Sequence, residues 1–280
     1  MALVLASDIS AFVNTIFEDA LLVARDNNLM AALVTGFNDR AGTAIRQNST
    51  YGTAVINSIA ETDDMTSQAF TPSSLATLTP AEFGAQFFVT DLRQETDLFG
   101  VRADAAMELG LALAQSVETN LLNDFSSLTG GTVGAAGTAI TWGHFFAMVA
   151  HLRGQNAPRP WFFVCSPNTW HVLGKAVGPG ATVTNSPQFQ DEVLRNWYVG
   201  SVAGVDIFTS SNTAAGTAAY AALFSRPALA LDIRRAPRLE PERDASRRGI
   251  ELNMTMVYAH GVWRPKFGVQ GIFDASLPTS

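Results

Sequence analysis

The sequence predicts an α+β fold with a long extended protrusion and one unusually long helix, and three features carry this. Residues 38–86 are mostly Thr, Ser, Ala, Asn and Gln. Their large apolar side chains are thinly spread: Ile45, Tyr51, Val55, Ile56, Ile59, Met65, Phe70, Leu75, Leu78 and Phe83. A stretch this long without a core of its own is completed by another surface or stays disordered. Second, residues 96–128 read as one helix. Third, the rest of the chain alternates short helices with apolar strands.

The elements follow in order. Asp8 or Ser10 caps a first helix over residues 8–25, where Ile9, Phe12, Val13, Ile16, Phe17, Ala20 and Leu21 make one apolar face. Asp26-Asn27-Asn28 ends it, a short apolar piece (29–34) follows, and Gly36 opens the polar arm. Within the arm, 53–59 and 83–90 are strand-like. The long helix carries a stripe of Leu98, Val101, Ala105, Leu109, Ala112, Leu113, Val117, Leu121, Phe125 and Leu128, and Thr129-Gly130-Gly131 stops it. At ~1.5 Å per residue it would reach roughly 45–50 Å, against a mean helix of about 11–12 residues. A helix of that length spans a whole subunit.

Residues 130–138 form a Gly/Ala/Thr linker and a domain junction. Residues 142–153 read as a helix. The apolar run 161–165 reads as a buried strand, and a short helix (168–177) capped near Ser166 follows it. Residues 178–187 are a loop. Strands are expected at 199–210 and 219–224, with 200–204 as a hairpin turn between strand-like runs. The charged, Pro-interrupted stretch 234–248 reads as a loop. Strands at 249–263 and 267–273 close the chain, with Pro265 breaking the join.

Composition narrows the class. Hydrophobic residues are 47% of the 280, and charged residues only 15%, well below the usual ~25%. Such a surface suits large permanent interfaces. The net charge of −7 argues against tight, sequence-reading contact with nucleic acid. Only two of the eighteen basic residues are lysine, Lys175 and Lys266, and arginine is the cation preferred at interfaces. A single cysteine, Cys165, precludes an intrachain disulfide. The apolar start lacks a basic n-region, so no signal peptide is expected. No window is long and apolar enough for a membrane span.

Site chemistry is sparse. His144 and His151 are seven apart, and His171 and His260 stand alone, so metal-ligand spacing is missing. Cys165 lies in an apolar strand without the flanks of a cysteine nucleophile. There is no nucleophile elbow, Walker loop or dinucleotide fingerprint. We therefore expect no catalytic residues, no cofactor and no metal. Two charged clusters remain. Glu61, Asp63 and Asp64 sit at the tip of the polar arm. Arg234, Arg235, Arg238, Arg243, Arg247 and Arg248 form the basic one, interleaved with Glu240, Glu242 and Asp244. That mixture favours salt-bridge networks over a phosphate-binding stripe. The two clusters are expected to meet across an inter-subunit contact.

Several soft motifs now fall in order. They are Leu98-Phe-Gly-Val-Arg-Ala-Asp running on to Glu108-Leu-Gly110, Phe162-Phe-Val-Cys-Ser-Pro-Asn168, and Val199-Gly-Ser-Val-Ala-Gly-Val-Asp-Ile-Phe-Thr-Ser-Ser-Asn212. Ala221 to Pro227 and Val257-Tyr-Ala-His-Gly-Val-Trp-Arg-Pro265 complete the series. With the arm in front, the chain resembles the major capsid proteins of tailed phages, which have the Hong Kong 97-type fold. The resemblance implies an N-terminal arm (1–40) and an extended loop, or E-loop, with P-domain strands (41–90). It implies a spine helix in the P domain (91–134), an A domain (135–228), and P-domain return strands with the C-terminus (229–280). It implies a structural protein that self-assembles as pentamers and hexamers into an icosahedral virion shell around double-stranded DNA, after a stage in the host cytoplasm. A portal, a separate scaffolding protein and a decoration protein are the implied partners; DNA would lie on the inner face without sequence-specific contact. The separate scaffold is expected because Met1 leads almost directly into the arm helix. Some members cross-link a lysine on the extended loop, but residues 38–95 contain no lysine, so that chemistry is not expected. An encapsulin-type bacterial compartment shell and a soluble α/β enzyme with a mobile arm are the alternative readings.

Overall fold

The computed structural model describes residues 29–39, 41–51, 56, 58–59, 61, 64–65, 67–68, 72–96, 100–176, 200–213 and 216–278. The expected helix at 8–25 and the loop at 178–187 lie outside them. The apolar piece after residue 28 is a short helix, α1 (Leu29–Leu33), followed by β1 (Thr35–Phe37). The arm carries β2 (Arg46–Tyr51) and β3 (Pro72–Leu78), which pair antiparallel. Ile56, Ser58 and Ile59, expected in a strand, are not in one. Next come β4 (Ala81–Thr90), α2 (Asp91–Thr96) and the long helix α3 (Val101–Asn123). The expectation of one continuous helix from residue 96 is corrected: Gly100, at φ 82°, interrupts it. That backbone conformation cannot continue a right-handed helix, and glycine adopts it without strain. A 3-10 turn (Asp124–Ser127) ends α3.

The second half runs β5 (Thr132–Gly134), α4 (Trp142–Gly154), β6 (Trp161–Cys165) and α5 (Pro167–Lys175). Thr141 and Ser166 cap α4 and α5 by accepting from the backbone N–H three residues on; the cap at Ser166 is the one the local sequence predicts. A tight hairpin of β7 (Ser201–Val202) and β8 (Val205–Thr209) turns at Ala203-Gly204. Then come β9 (Gly216–Ser225), β10 (Leu229–Asp244), β11 (Gly249–Val262) and β12 (Gly268–Ala275).

Residues 234–248 are therefore not a loop. They are the outer part of a long antiparallel hairpin, paired from Leu229↔Val262 out to Asp244↔Gly249. Two register shifts flank Arg235, which lets Pro237 sit where the ladder is already broken.

A four-stranded sheet has the order β1-β10-β11-β4, and a six-stranded sheet the order β5-β12-β9-β6-β8-β7. β12 pairs with β9 and β5 in the second sheet and not with the long hairpin that precedes it. Helix α3 joins the two sheets. Its Leu109, Leu113, Val117, Leu121 and Phe125 share one core with Leu252, Met254, Met256 and Tyr258 of β11 and with Phe162, Val164 and Phe224 of the other sheet. The alternation on β11 is the period-2 signature of a strand with one buried face. A second core lies between the six-stranded sheet and α4 and α5, around Phe145, Met148, Leu152, Phe163, Trp170 and Phe273.

Candidate assembly interface

The protrusion is polar, yet its base is tightly fixed. Asp232 on β10 is fully buried, and its Oδ2 accepts from Arg46 Nε at 2.8 Å and pairs with Arg234 Nη2 at 2.9 Å. Arg46 also pairs with Asp39, and its guanidinium lies 4.2 Å from the Phe37 ring centre. Burial alone would lower the pKa of Arg46, but Asp232 and Asp39 outweigh it and hold the group more firmly protonated. Arg234 Nη2 donates to the Ala44 carbonyl, and Asn48 Nδ2 to that of Trp263 at 3.0 Å. Leu78 packs on Ala230 and Ala259, with Phe37 and Trp263 at the edge. The first and last strands of the protrusion are thus bolted to β10 and β11.

On the rest of the protrusion the described apolar side chains face solvent. Ile56 is 96% and Met65 74% exposed, and Ile45 and Ile59 are about half exposed. Apolar groups held out on a protrusion mark a surface that is covered by something else.

The acidic cluster lies on the same protrusion. Glu61 and Asp64 are exposed, and Asp63 lies outside the described residues. The arginines have mostly found carboxylates within the subunit. Arg235 pairs with Glu82, Arg238 with Glu240 and Arg243 with Asp91. Arg247 approaches Glu251 at 3.3 Å and stacks over Phe88. Arg248 occupies the turn at φ 53° and is exposed. Arg234 is a correction: its side chain is 1% exposed, so it secures the protrusion from within and cannot meet a neighbour. Sequence reasoning missed Arg46 and Asp232. Arg46 had a signal as a lone charge in a neutral run, and Asp232 as a carboxylate directly after the apolar run 227–231; a charge so placed needs a partner.

A second polar hub lies on α3. Glu118 is buried; its Oε2 accepts from the Leu29 N–H at 3.0 Å and its Oε1 from the Ser210 hydroxyl. This carboxylate ties the entry of the described chain and the end of β8 to the long helix. Nearby, Asn120 Nδ2 donates to Tyr258 Oη at 2.8 Å, and His260 Nδ1 meets Asp124 Oδ2 at 2.8 Å. The four histidines occupy three elements and do not converge. Among the described residues no group of three His, Cys, Asp or Glu is placed to hold a metal. Cys165 is buried, and burial pushes its thiol pKa up, away from thiolate chemistry.

The model of the family described as phage capsid protein matches residues 74–270. That span holds α3, the long hairpin and both sheets except β1 and most of β12. The chain belongs to the phage capsid protein family. Its fold is similar to that of solved structures at low sequence identity. One is from Mycobacterium phage Che8, at 17% identity and a TM-score of 0.69, covering 87% of this chain and 90% of that one. Another is the capsid of Ralstonia phage GP4, at 9% and 0.68, covering 89% and 88%. A virus-like particle from Pyrococcus furiosus shares it at 10% and 0.62, covering 92% and 98%. No curated protein matches the chain in sequence. This is a major capsid protein with the Hong Kong 97-type fold, a structural protein of the virion capsid that assembles with copies of itself into a shell.

Proposed function

We propose that this capsid protein forms pentamers and hexamers that close into an icosahedral shell around double-stranded DNA. The observation that carries this is the protrusion, fixed at its base by Arg46, Asp232 and Leu78 and apolar at its exposed Ile56, Ile59 and Met65. Residues 41–90 act as the extended loop and lie on a neighbouring subunit. The four-stranded sheet with α3 serves as the P domain. The A domain is residues 135–228 together with β12. Assembly proceeds in the host cytoplasm with a scaffolding protein and a portal, and a decoration protein completes the surface. Many interlocked contacts hold such a shell, so no single one need be strong.

The inter-subunit ion pairs join Glu61, Asp63 and Asp64 to the exposed arginines of the hairpin, Arg235, Arg238, Arg243, Arg247 and Arg248. These arginines exchange an intramolecular carboxylate for one on the neighbour. The protein has no catalytic role. The family match favours a phage shell over a cellular compartment.

Electron microscopy and sedimentation of the purified chain, alone and with a scaffolding protein, test the reading. Closed shells, or pentamers and hexamers that close on adding scaffold, are expected. A stable monomer or dimer under both conditions overturns it.

A further inference from the structure

The arginines singled out by the sequence are largely neutralised by carboxylates, but another set of cations is not. Arg153, Arg159, Arg226, Arg264 and Lys266 are exposed, and none has a carboxylate within ion-pair distance among the described residues. They come from separate parts of the chain, yet the fold gathers them at one end of the six-stranded sheet. Trp161 opens β6 opposite Ser225, which closes β9, and Gly268 opens β12 opposite Phe224. Arg159 precedes β6 and reaches Gly204 at the β7–β8 turn. Arg226 follows β9, and Arg264 and Lys266 precede β12. Arg153 lies at the end of α4, its guanidinium 5.9 Å from the Trp161 ring centre. In the sheet register the nearest acid is Asp206, opposite Phe162.

Among the described residues, this end lacks the exposed apolar anchors of a protein interface. None of the exposed large apolar side chains falls on residues 151–161, 200–206, 223–231 or 262–268. Interface cores carry exposed aromatic and aliphatic anchors. The ring that opens β6, Trp161, is buried under the guanidinium groups, and Trp263 and Phe267 are half-buried. Long cationic side chains without apolar anchors match a partner that offers repeated negative charge and little else. Strand ends set about 4.8 Å apart spread those cations along a line, as a nucleic-acid backbone spreads its phosphates.

We propose that this end of the six-stranded sheet is the surface that meets double-stranded DNA, through phosphates and without reading sequence. The proposal rests on the shell reading for its biological setting, but its test does not. Binding of a short linear duplex to unassembled subunits is measured as a function of salt. Each phosphate contact adds about 0.9 to the slope of log affinity against log salt. The triple variant Arg153→Gln, Arg264→Gln, Lys266→Gln should lower that slope by about 2.7 and weaken binding uniformly across sequences. A control variant with the same charge change, Arg235→Gln, Arg238→Gln, Arg247→Gln, should keep the wild-type slope. Equal slopes in wild type and the first variant overturn the proposal, as does an equal loss in both variants. So does a wild type that binds no duplex. If the first variant instead blocks shell closure while keeping its duplex slope, the surface is an acidic-partner contact and the proposal fails. Absence of shells from wild type would count against the shell reading alone.

Discussion

Asp232 is fully buried and faces the guanidinium groups of Arg46 and Arg234. Replacing it with Asn leaves the buried Arg234 with no counter-charge and Arg46 with Asp39 alone. The expected cost is about 3–5 kcal/mol, the loss seen when one partner of a buried pair is removed. Urea unfolding of the unassembled subunit measures it, and residues 38–78 should become the first target of limited proteolysis. An unchanged midpoint would contradict the anchoring role. Asp244 behaves differently because it is exposed. It accepts from the Ser246 hydroxyl and from the N–H groups of Ser246 and Arg247, which lower its pKa, with the Ser246 hydroxyl contributing most. The depressed folded value means the turn gains stability above the ordinary carboxylate pKa of about 3.9 and loses it as pH falls through the lower folded value. The amide resonances of Ser246 and Arg247 should therefore shift at a pH below that of an ordinary carboxylate. Asp244→Asn should reproduce the acid spectrum at neutral pH; a spectrum like wild type would refute the cap.

At the level of elements, local signals were legible and paired charges were not. The helix at 142–154, the strand at 161–165 and the capped helix after Ser166 follow from periodicity, an apolar run and a cap. The outer half of β10 was read as a loop because Arg, Glu and Pro alternate there. Its partners make it a strand: Glu251, Leu252 and Asn253 lie across the ladder, and Glu82 and Asp91 bind its arginines from more than a hundred residues away in the chain. No window of sequence contains that information. For the same reason the arginine cluster was visible while the anchor at Asp232 and the cationic end of the second sheet were not. β4 offers a test at this scale. A Cβ on Gly84 would lie 2.8 Å from the Met254 carbonyl oxygen and 3.0 Å from Thr255 Cγ2. Alanine in a strand normally gains about 0.5–1 kcal/mol over glycine, but overpacking costs about 1–3 kcal/mol. Gly84→Ala should thus be net destabilising, read as a lower thermal midpoint; a higher one would show that β4 can yield.

The whole molecule separates folding from assembly. Both cores lie in the two sheets and the helices packed on them, while the exposed Ile56, Ile59 and Met65 touch neither. Tyr51 and Pro72 are register partners, so an Asn-Gly turn could replace residues 52–71 without moving the base of the hairpin. That variant should unfold at the wild-type urea concentration and fail to form shells in sedimentation. Shells of normal size would show that the far end of the protrusion is dispensable.

The pairing of β12 with β9 and β5 sets an order on events in the cell. Strand β5 (from residue 132) is made first, β9 (from residue 216) well after it, and the strand that lies between them only after the whole long hairpin. A ribosome that stalls before residue 275 leaves β5 and β9 on either side of a gap. The six-stranded sheet is therefore closed by the last of its strands to be made, and its two flanking strands wait for that strand through the whole of the long hairpin.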